Sequence, residues 1–163
     1  MMRTRFRLAV GAALLASAAA APAHVTVWPR QSQAGAHERY TVRVPNEKQA
    51  DNLAVELRFP SGLRVTSFEQ KPGWLTEALR DARGAIMGVR WTGRLPPEQF
   101  TEFGLLAVNP ASTKDLVWTA TQRFADGTSV LWSGAANSKS PAPHVQLRPA
   151  TPRDGSPPVQ ADR

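Results

Sequence analysis

The chain has 163 residues, of which 42% are hydrophobic and five are Trp, so it is long enough to bury the core of one domain. It has no Cys, which excludes disulfide bonds, thiolate nucleophiles, thiolate metal sites and iron–sulfur clusters. The formal net charge is +7, but the basic residues are spread along the chain and form no dense run. We therefore do not expect the protein to bind nucleic acid.

Residues 1–23 have the pattern of a cleaved secretory signal peptide. Three arginines precede a short apolar segment, and Ala21-Pro22-Ala23 supplies small residues before the expected cleavage point. The apolar segment is too short for a stable bilayer anchor, although an uncleaved anchor is the alternative. Cleavage would make His24 the first residue of a periplasmic or secreted protein, and we expect no stable membrane insertion of that mature chain.

Between His24 and residue 134 the sequence predicts a succession of short strands. Apolar and polar residues alternate, most clearly in Arg39–Val44, as on a strand with one buried face. Gly- and Pro-containing turns separate the segments, and Asp126-Gly127 predicts a hairpin. The fold class is therefore all-β, a single antiparallel β-sandwich of the immunoglobulin-like or cupredoxin-like kind. The predicted strands are Val25–Trp28, Arg39–Val44, Leu53–Phe59, Leu63–Phe68, Trp74–Arg80, Ala85–Thr92, Thr101–Val108, Leu116–Phe124 and Ser129–Trp132.

Residues 135–163 differ in composition from the strands before them. They are rich in Pro, Ala and Ser and lack a periodic apolar face. We therefore expect a disordered tail, in which His144 is a solvated side chain.

A histidine at the N-terminus of the mature chain offers a metal two nitrogen donors on one residue. The α-amine and the imidazole Nδ1 of His24 can close a chelate ring, and nitrogen donors favour Cu(II) among the divalent first-row metals. Cu(I) prefers sulfur ligands, but Met87 is the only Met after residue 23. From residue type alone, a histidine left there by chance remains an alternative.

Several short motifs follow one another between His24 and about Trp132. They are His24-Val25-Thr26-Val27-Trp28-Pro29, Ala34-Gly35-Ala36-His37-Glu38-Arg39-Tyr40, Val42-Arg43-Val44-Pro45-Asn46-Glu47-Lys48, Lys71-Pro72-Gly73-Trp74, Val89-Arg90-Trp91-Thr92-Gly93, Phe100-Thr101-Glu102-Phe103, Thr121-Gln122, Asp126-Gly127 and Val130-Leu131-Trp132. Their order and spacing resemble those of the YcnI family of exported copper-binding domains.

The resemblance implies a β-sandwich that binds Cu(II) through a single N-terminal histidine brace, with carboxylates completing the site and a tryptophan close by. Carried onto this chain, the metal residues are His24 and Glu38, with Glu47 as a further candidate and Trp132 beside the metal. An indole has no lone pair for copper, so we expect Trp132 to wall the site. The resemblance also implies copper capture, buffering or delivery, and other exported copper proteins or a membrane copper transporter as partners.

Two other functions compete with a non-enzymatic copper protein. A copper monooxygenase with a two-histidine brace needs a second imidazole, which here must come from His37 or His144. His37 and Glu38 point to opposite faces if that segment is a strand, so we do not expect His37 to be a ligand beside Glu38. A metal-free adhesion or assembly sandwich is the other alternative, because this fold carries many functions.

Overall fold

The computed structural model describes residues 24–112 and 114–150, and every regular element within them is a β strand. The predicted signal peptide lies outside the described residues. Among those described, no helix has the length and apolar character needed to cross a membrane. The strands are β1 (Thr26–Trp28), β2 (Gln31–Gln33), β3 (His37–Pro45), β4 (Asn52–Arg58), β5 (Arg64–Phe68), β6 (Leu75–Arg80), β7 (Ile86–Leu95), β8 (Phe100–Val108), β9 (Leu116–Val117), β10 (Thr119–Phe124), β11 (Ser129–Trp132) and β12 (His144–Arg148).

Two antiparallel sheets form the sandwich. One has the strand order β1-β3-β8-β5, and the other has the order β11-β10-β4-β7-β6. The sheets meet through their buried faces, where the rings of Trp91 on β7 and Phe103 on β8 stack with centroids 4.2 Å apart. The predicted β-sandwich is therefore confirmed.

The alternation of side chains explains why these segments form strands. On β3, Tyr40, Val42 and Val44 are fully buried, whereas Arg39 and Arg43 face solvent. Each large apolar side chain buried in this way contributes about 1.5–3 kcal/mol. Shifting the register by one residue would expose this whole apolar face, so the pattern also fixes the pairing.

The predicted hairpin at Asp126-Gly127 is also present. It joins β10 to β11 in antiparallel pairing, and Gly127 has a φ of 79°. The Asp126 carboxylate accepts hydrogen bonds from the backbone N–H and the hydroxyl of Thr128. This turn places Trp132 at the end of an edge strand of the five-stranded sheet.

A third, small sheet has the order β2-β12-β9, and it corrects the predicted extent of the domain. Val145 and Leu147 of β12 are 0% and 4% exposed, and β12 runs parallel to β2. The predicted tail from residue 135 onward therefore starts too early, because the fold continues through Arg148. Residues 151–163 lie outside the described part of the chain.

The segment Leu116–Phe124, predicted as one strand, is divided at Trp118. Residues before it, on β9, pair with β12, and residues after it, on β10, pair with β4 and β11. The backbone N–H of Trp118 donates to the carbonyl of Pro143 at 2.9 Å. Trp118 thus joins the third sheet to the five-stranded sheet.

Candidate metal centre

His24 lies two residues before β1, at one end of the sandwich. Its imidazole packs against the indole of Trp132, with ring centroids 5.6 Å apart and an interplanar angle of 55°. The side chain of His24 is half-buried. The structure therefore brings together the first and last of the residues that the family resemblance implies for the site.

A chain of hydrogen bonds fixes the orientation of Trp132. Its Nε1–H donates to Oε1 of Gln122 at 2.8 Å, and Nε2 of Gln122 donates to the carbonyl of Pro45 at 2.7 Å. Trp132 and Gln122 are 7% and 2% exposed. Because the indole N–H is already used, the ring and not its polar group is presented to His24.

Glu47 lies in the turn after β3, and the residue before it holds that turn in place. Asn46 is 1% exposed, and its side-chain amide donates to the carbonyls of Ala50 and Leu95 at 2.9 and 3.0 Å. This anchor leaves the Glu47 side chain exposed, and Glu47 and Trp132 line the same cleft of about 600 Å³. The structure thus puts a carboxylate on the Trp132 side of the site.

Glu38 lies elsewhere, and this corrects the predicted ligand set. Strand β1 pairs with the far end of β3, where Thr26 lies opposite Arg43, whereas Glu38 lies opposite Ala107. Glu38 and Arg43 are five residues apart on β3, which corresponds to roughly 16 Å. Strand β1 runs antiparallel to β3, so the residues before Thr26 lie still farther along β3 from Glu38. His24 is one of these residues, and Glu38 therefore cannot share a metal with it.

The contacts of Glu38 indicate a structural role. Its Oε2 accepts a hydrogen bond from the Ser32 hydroxyl at 2.6 Å, and that hydroxyl accepts one from the Asn109 amide at 2.9 Å. Asn109 also accepts a hydrogen bond from the Tyr40 hydroxyl at 2.7 Å. Burial raises the pKa of Tyr40, against the opposing effect of these hydrogen bonds. The network therefore fastens β2 to β3 and to the residue that follows β8.

His144 lies near the site, although the sequence predicted it to lie in a disordered tail. It begins β12 with an exposed side chain, and it lines a small pocket of about 170 Å³ together with His24. The signal that could have found this strand is the alternation of His144, Gln146 and Arg148 with the apolar Val145 and Leu147. The other predicted alternative, His37, is exposed beside Glu38 at the remote end of β3.

The donors near this end of the sandwich suit a metal bound mainly through nitrogen. Within the two described ranges, no three His, Asp or Glu side chains converge in a group that could hold a metal ion. In a chain that begins at His24, the α-amine and Nδ1 of that residue would both bind the ion and close a six-membered chelate ring. The neighbouring Trp132 ring shields one side of His24 from solvent.

Comparison with known proteins gives a consistent family assignment. The sequence model of the family described as a domain of unknown function, DUF1775, matches residues 24–147. The copper-binding protein CutI of Bacillus subtilis is 33% identical over 136 residues, which are 82% of this chain and 66% of CutI. The chain thus spans slightly less than two thirds of that relative.

Solved structures support the fold. An uncharacterized protein from Nocardia farcinica with an immunoglobulin-like fold is 26% identical, with a TM-score of 0.65 over 76% of this chain and 97% of its own. A cohesin module from a Clostridium perfringens family 33 glycoside hydrolase has a TM-score of 0.51 at 10% identity, over 78% of this chain and 97% of its own. At that identity the second likeness concerns the fold alone.

Proposed function

Because the chain belongs to the YcnI family, the family of the DUF1775 domain, we propose that it is an exported protein that binds Cu(II) at His24. The proposal assumes that residues 1–23 are removed as a signal peptide, so that the α-amine of His24 becomes available. The protein then works in the periplasm or outside the cell.

The contact between His24 and Trp132 is the observation that carries this proposal. It joins the residue that starts the mature chain to the tryptophan that the family resemblance places beside the metal, although 108 positions separate them in the sequence. A ring whose N–H is engaged by Gln122 offers the ion a rigid apolar wall.

The ligands of the proposed site are the amine and Nδ1 of His24, with Glu47 supplying a carboxylate. A carboxylate offsets part of the charge of a dication, and the anchored turn at Asn46 holds Glu47 on the Trp132 side. Neutral nitrogen donors of this kind suit Cu(II). The chain has no Cys, and its only Met after residue 23 is Met87 on β7. Because Cu(I) prefers sulfur ligands, we expect the protein to retain Cu(I) poorly.

The proposed role is to hold and deliver copper, without catalysis of a reaction. The similarity to a protein named for copper binding supports this role. We propose that other exported copper proteins or a membrane copper transporter receive or donate the ion. An oxidative enzyme would instead consume a reductant and peroxide while cleaving a polysaccharide, and we expect the copper-loaded protein to show no such coupled turnover.

The decisive experiment compares a chain that begins at His24 with a chain that has one extra alanine before it. The extension converts the amine into an amide and removes one of the two nitrogen donors of His24. Cu(II) binding is measured by calorimetry, and the number of nitrogen ligands by electron paramagnetic resonance. We expect tight one-to-one binding only in the shorter chain.

His37→Ala is the matched control, because His37 is exposed and lies at the remote end of β3. It should bind copper as the unaltered chain does. Equal binding by the extended and shorter chains would contradict the proposed site.

A further inference from the structure

We propose that His144 is an additional ligand of the metal held by His24, so that the ion has three nitrogen donors from two residues. This inference rests on the proposed function. The Pro-rich composition around His144 predicted a solvated side chain, and the sequence otherwise offered this residue only as the second imidazole of a copper monooxygenase.

The two imidazoles border one pocket. The pocket has a volume of about 170 Å³. Metal–imidazole bonds are about 2.0–2.1 Å long, so two donors on one ion lie about 3–4 Å apart. The His, Asp and Glu side chains of the described residues do not converge on one point as they stand, so the imidazole of His144 has to take another rotamer to reach the ion. This change costs little because the His144 side chain is exposed and gives up no core packing.

The backbone on both sides of His144 is fixed. The carbonyl of Pro143 accepts a hydrogen bond from the N–H of Trp118, and the N–H of Gln146 donates to the carbonyl of Arg30, both at 2.9 Å. Val145 points into the core, so the strand alternation turns His144 away from it. The ring is therefore directed outward at a position set by neighbouring strands.

The loop between Trp132 and His144 is held by hydrogen bonds between its own backbone groups. Gly134 donates to the carbonyl of Ser140 and accepts from the N–H of Ala142, at 3.0 and 2.9 Å. A Cβ at Gly134 would crowd the side chain of Ser138 and the carbonyl oxygen of Ser140, so a larger residue there would have to displace them. The loop thereby ties the indole that contacts His24 to the strand that begins with His144.

The chemistry of the pocket is compatible with a third nitrogen. Imidazole is a favourable ligand for copper, and a tethered donor adds affinity because its local concentration is high. Arg30 also lines the pocket, but its guanidinium is engaged over the Trp28 ring, 4.9 Å from the centroid. Solvent and salt screen its repulsion of a dication at this open site.

The test uses the chain that begins at His24, loaded with one equivalent of Cu(II). Pulsed electron paramagnetic resonance detects the remote nitrogen of each coordinated imidazole and so counts the imidazoles. We expect two in the unaltered chain and one in His144→Ala, together with about 100-fold weaker binding of Cu(II) by calorimetry. His37→Ala is again the control and should retain two imidazoles and full affinity.

A count of one imidazole in the unaltered chain would overturn this inference, whatever the variant does. Equal affinity and equal counts for His144→Ala and the unaltered chain would overturn it as well. Either result leaves the proposed function standing if the alanine-extended chain still loses tight binding. If the extended chain also binds normally, the proposed site at His24 fails too.

Discussion

The indole N–H of Trp132 and the side-chain carbonyl of Gln122 form a 2.8 Å hydrogen bond between β11 and β10. The amide of the same Gln122 donates to the carbonyl of Pro45 at the end of β3, which belongs to the opposite sheet. One buried side chain thus positions the ring beside His24 and connects the two layers at the candidate metal centre.

Replacing Gln122 with leucine should therefore destabilise the protein by about 2–4 kcal/mol, because it leaves the Trp132 N–H and the Pro45 carbonyl without this partner. The measurement is urea unfolding followed by circular dichroism. Gln122→Glu retains the acceptor and serves as the comparison. Surface substitutions usually change the free energy of unfolding by less than about 0.5 kcal/mol. A loss no larger than that in Gln122→Leu would show that the two hydrogen bonds of Gln122 contribute little.

Trp132→Phe should separate the optical role of the indole from the binding of the metal. Trp132 is the tryptophan in contact with His24, so Cu(II) bound there should quench its fluorescence most strongly. We expect the variant to lose most of the quenching while its calorimetric affinity changes by less than about threefold, since an indole supplies no lone pair. Unchanged quenching would place the ion away from this ring.

Glu38→Ala should affect stability and not copper binding. The substitution removes the acceptor of the Ser32 hydroxyl and should cost about 1–2 kcal/mol in thermal or urea unfolding. Glu47→Gln should have the opposite profile, with a small change in stability and weaker Cu(II) binding by calorimetry. Copper affinity that depends on Glu38 and not on Glu47 would contradict the arrangement described above.

Glu56 should make stability depend on pH on the acidic side. Burial acts to raise the pKa of its carboxyl, but hydrogen bonds and charges from Arg90 and Arg58 outweigh burial and lower the pKa below its ordinary value. The folded state therefore binds protons less readily than the unfolded state. The stabilisation is complete above the unfolded pKa of about 4.3 and is lost as the pH falls below it.

Glu56→Gln should accordingly cost about 1–2 kcal/mol at neutral pH, and this difference from the unaltered chain should shrink below about pH 4. Urea unfolding across the pH range provides the measurement. Glu77→Gln is the control, because the Glu77 side chain is 64% exposed and its ion pair with Arg90 should be weak. A difference that grows on acidification would reverse the assigned sign.

Leu147→Ala tests whether β12 is part of the fold. Leu147 is 4% exposed, so the truncation should cost about 2–5 kcal/mol through lost burial and a residual cavity. Gln146→Ala, on the exposed face of the same strand, should change stability by less than about 0.5 kcal/mol. Equal, negligible effects of both substitutions would agree with the disordered tail that composition predicts.

The sequence by itself determined the sandwich and nine strand-forming segments, because alternation and turn chemistry are local properties. Arg39–Val44 and the Asp126-Gly127 hairpin are where predicted. The contribution of His24 as a metal ligand stays a prediction, since it depends on cleavage before that residue.

The tertiary structure alone decided which side chains share an end of the sandwich. In the sequence, Glu38 and Glu47 are both carboxylates close to β3, and nothing local distinguishes them as ligands. In the structure, β1 pairs with the far end of β3, so most of the length of β3 separates Glu38 from His24. Likewise β12 has a weak local signal and is stabilised by pairing with β2 and β9, more than 20 residues away. Local alternation determines which face of a strand is buried and so constrains its register. Which strands become partners, and therefore the distance between such segments, depends on long-range packing.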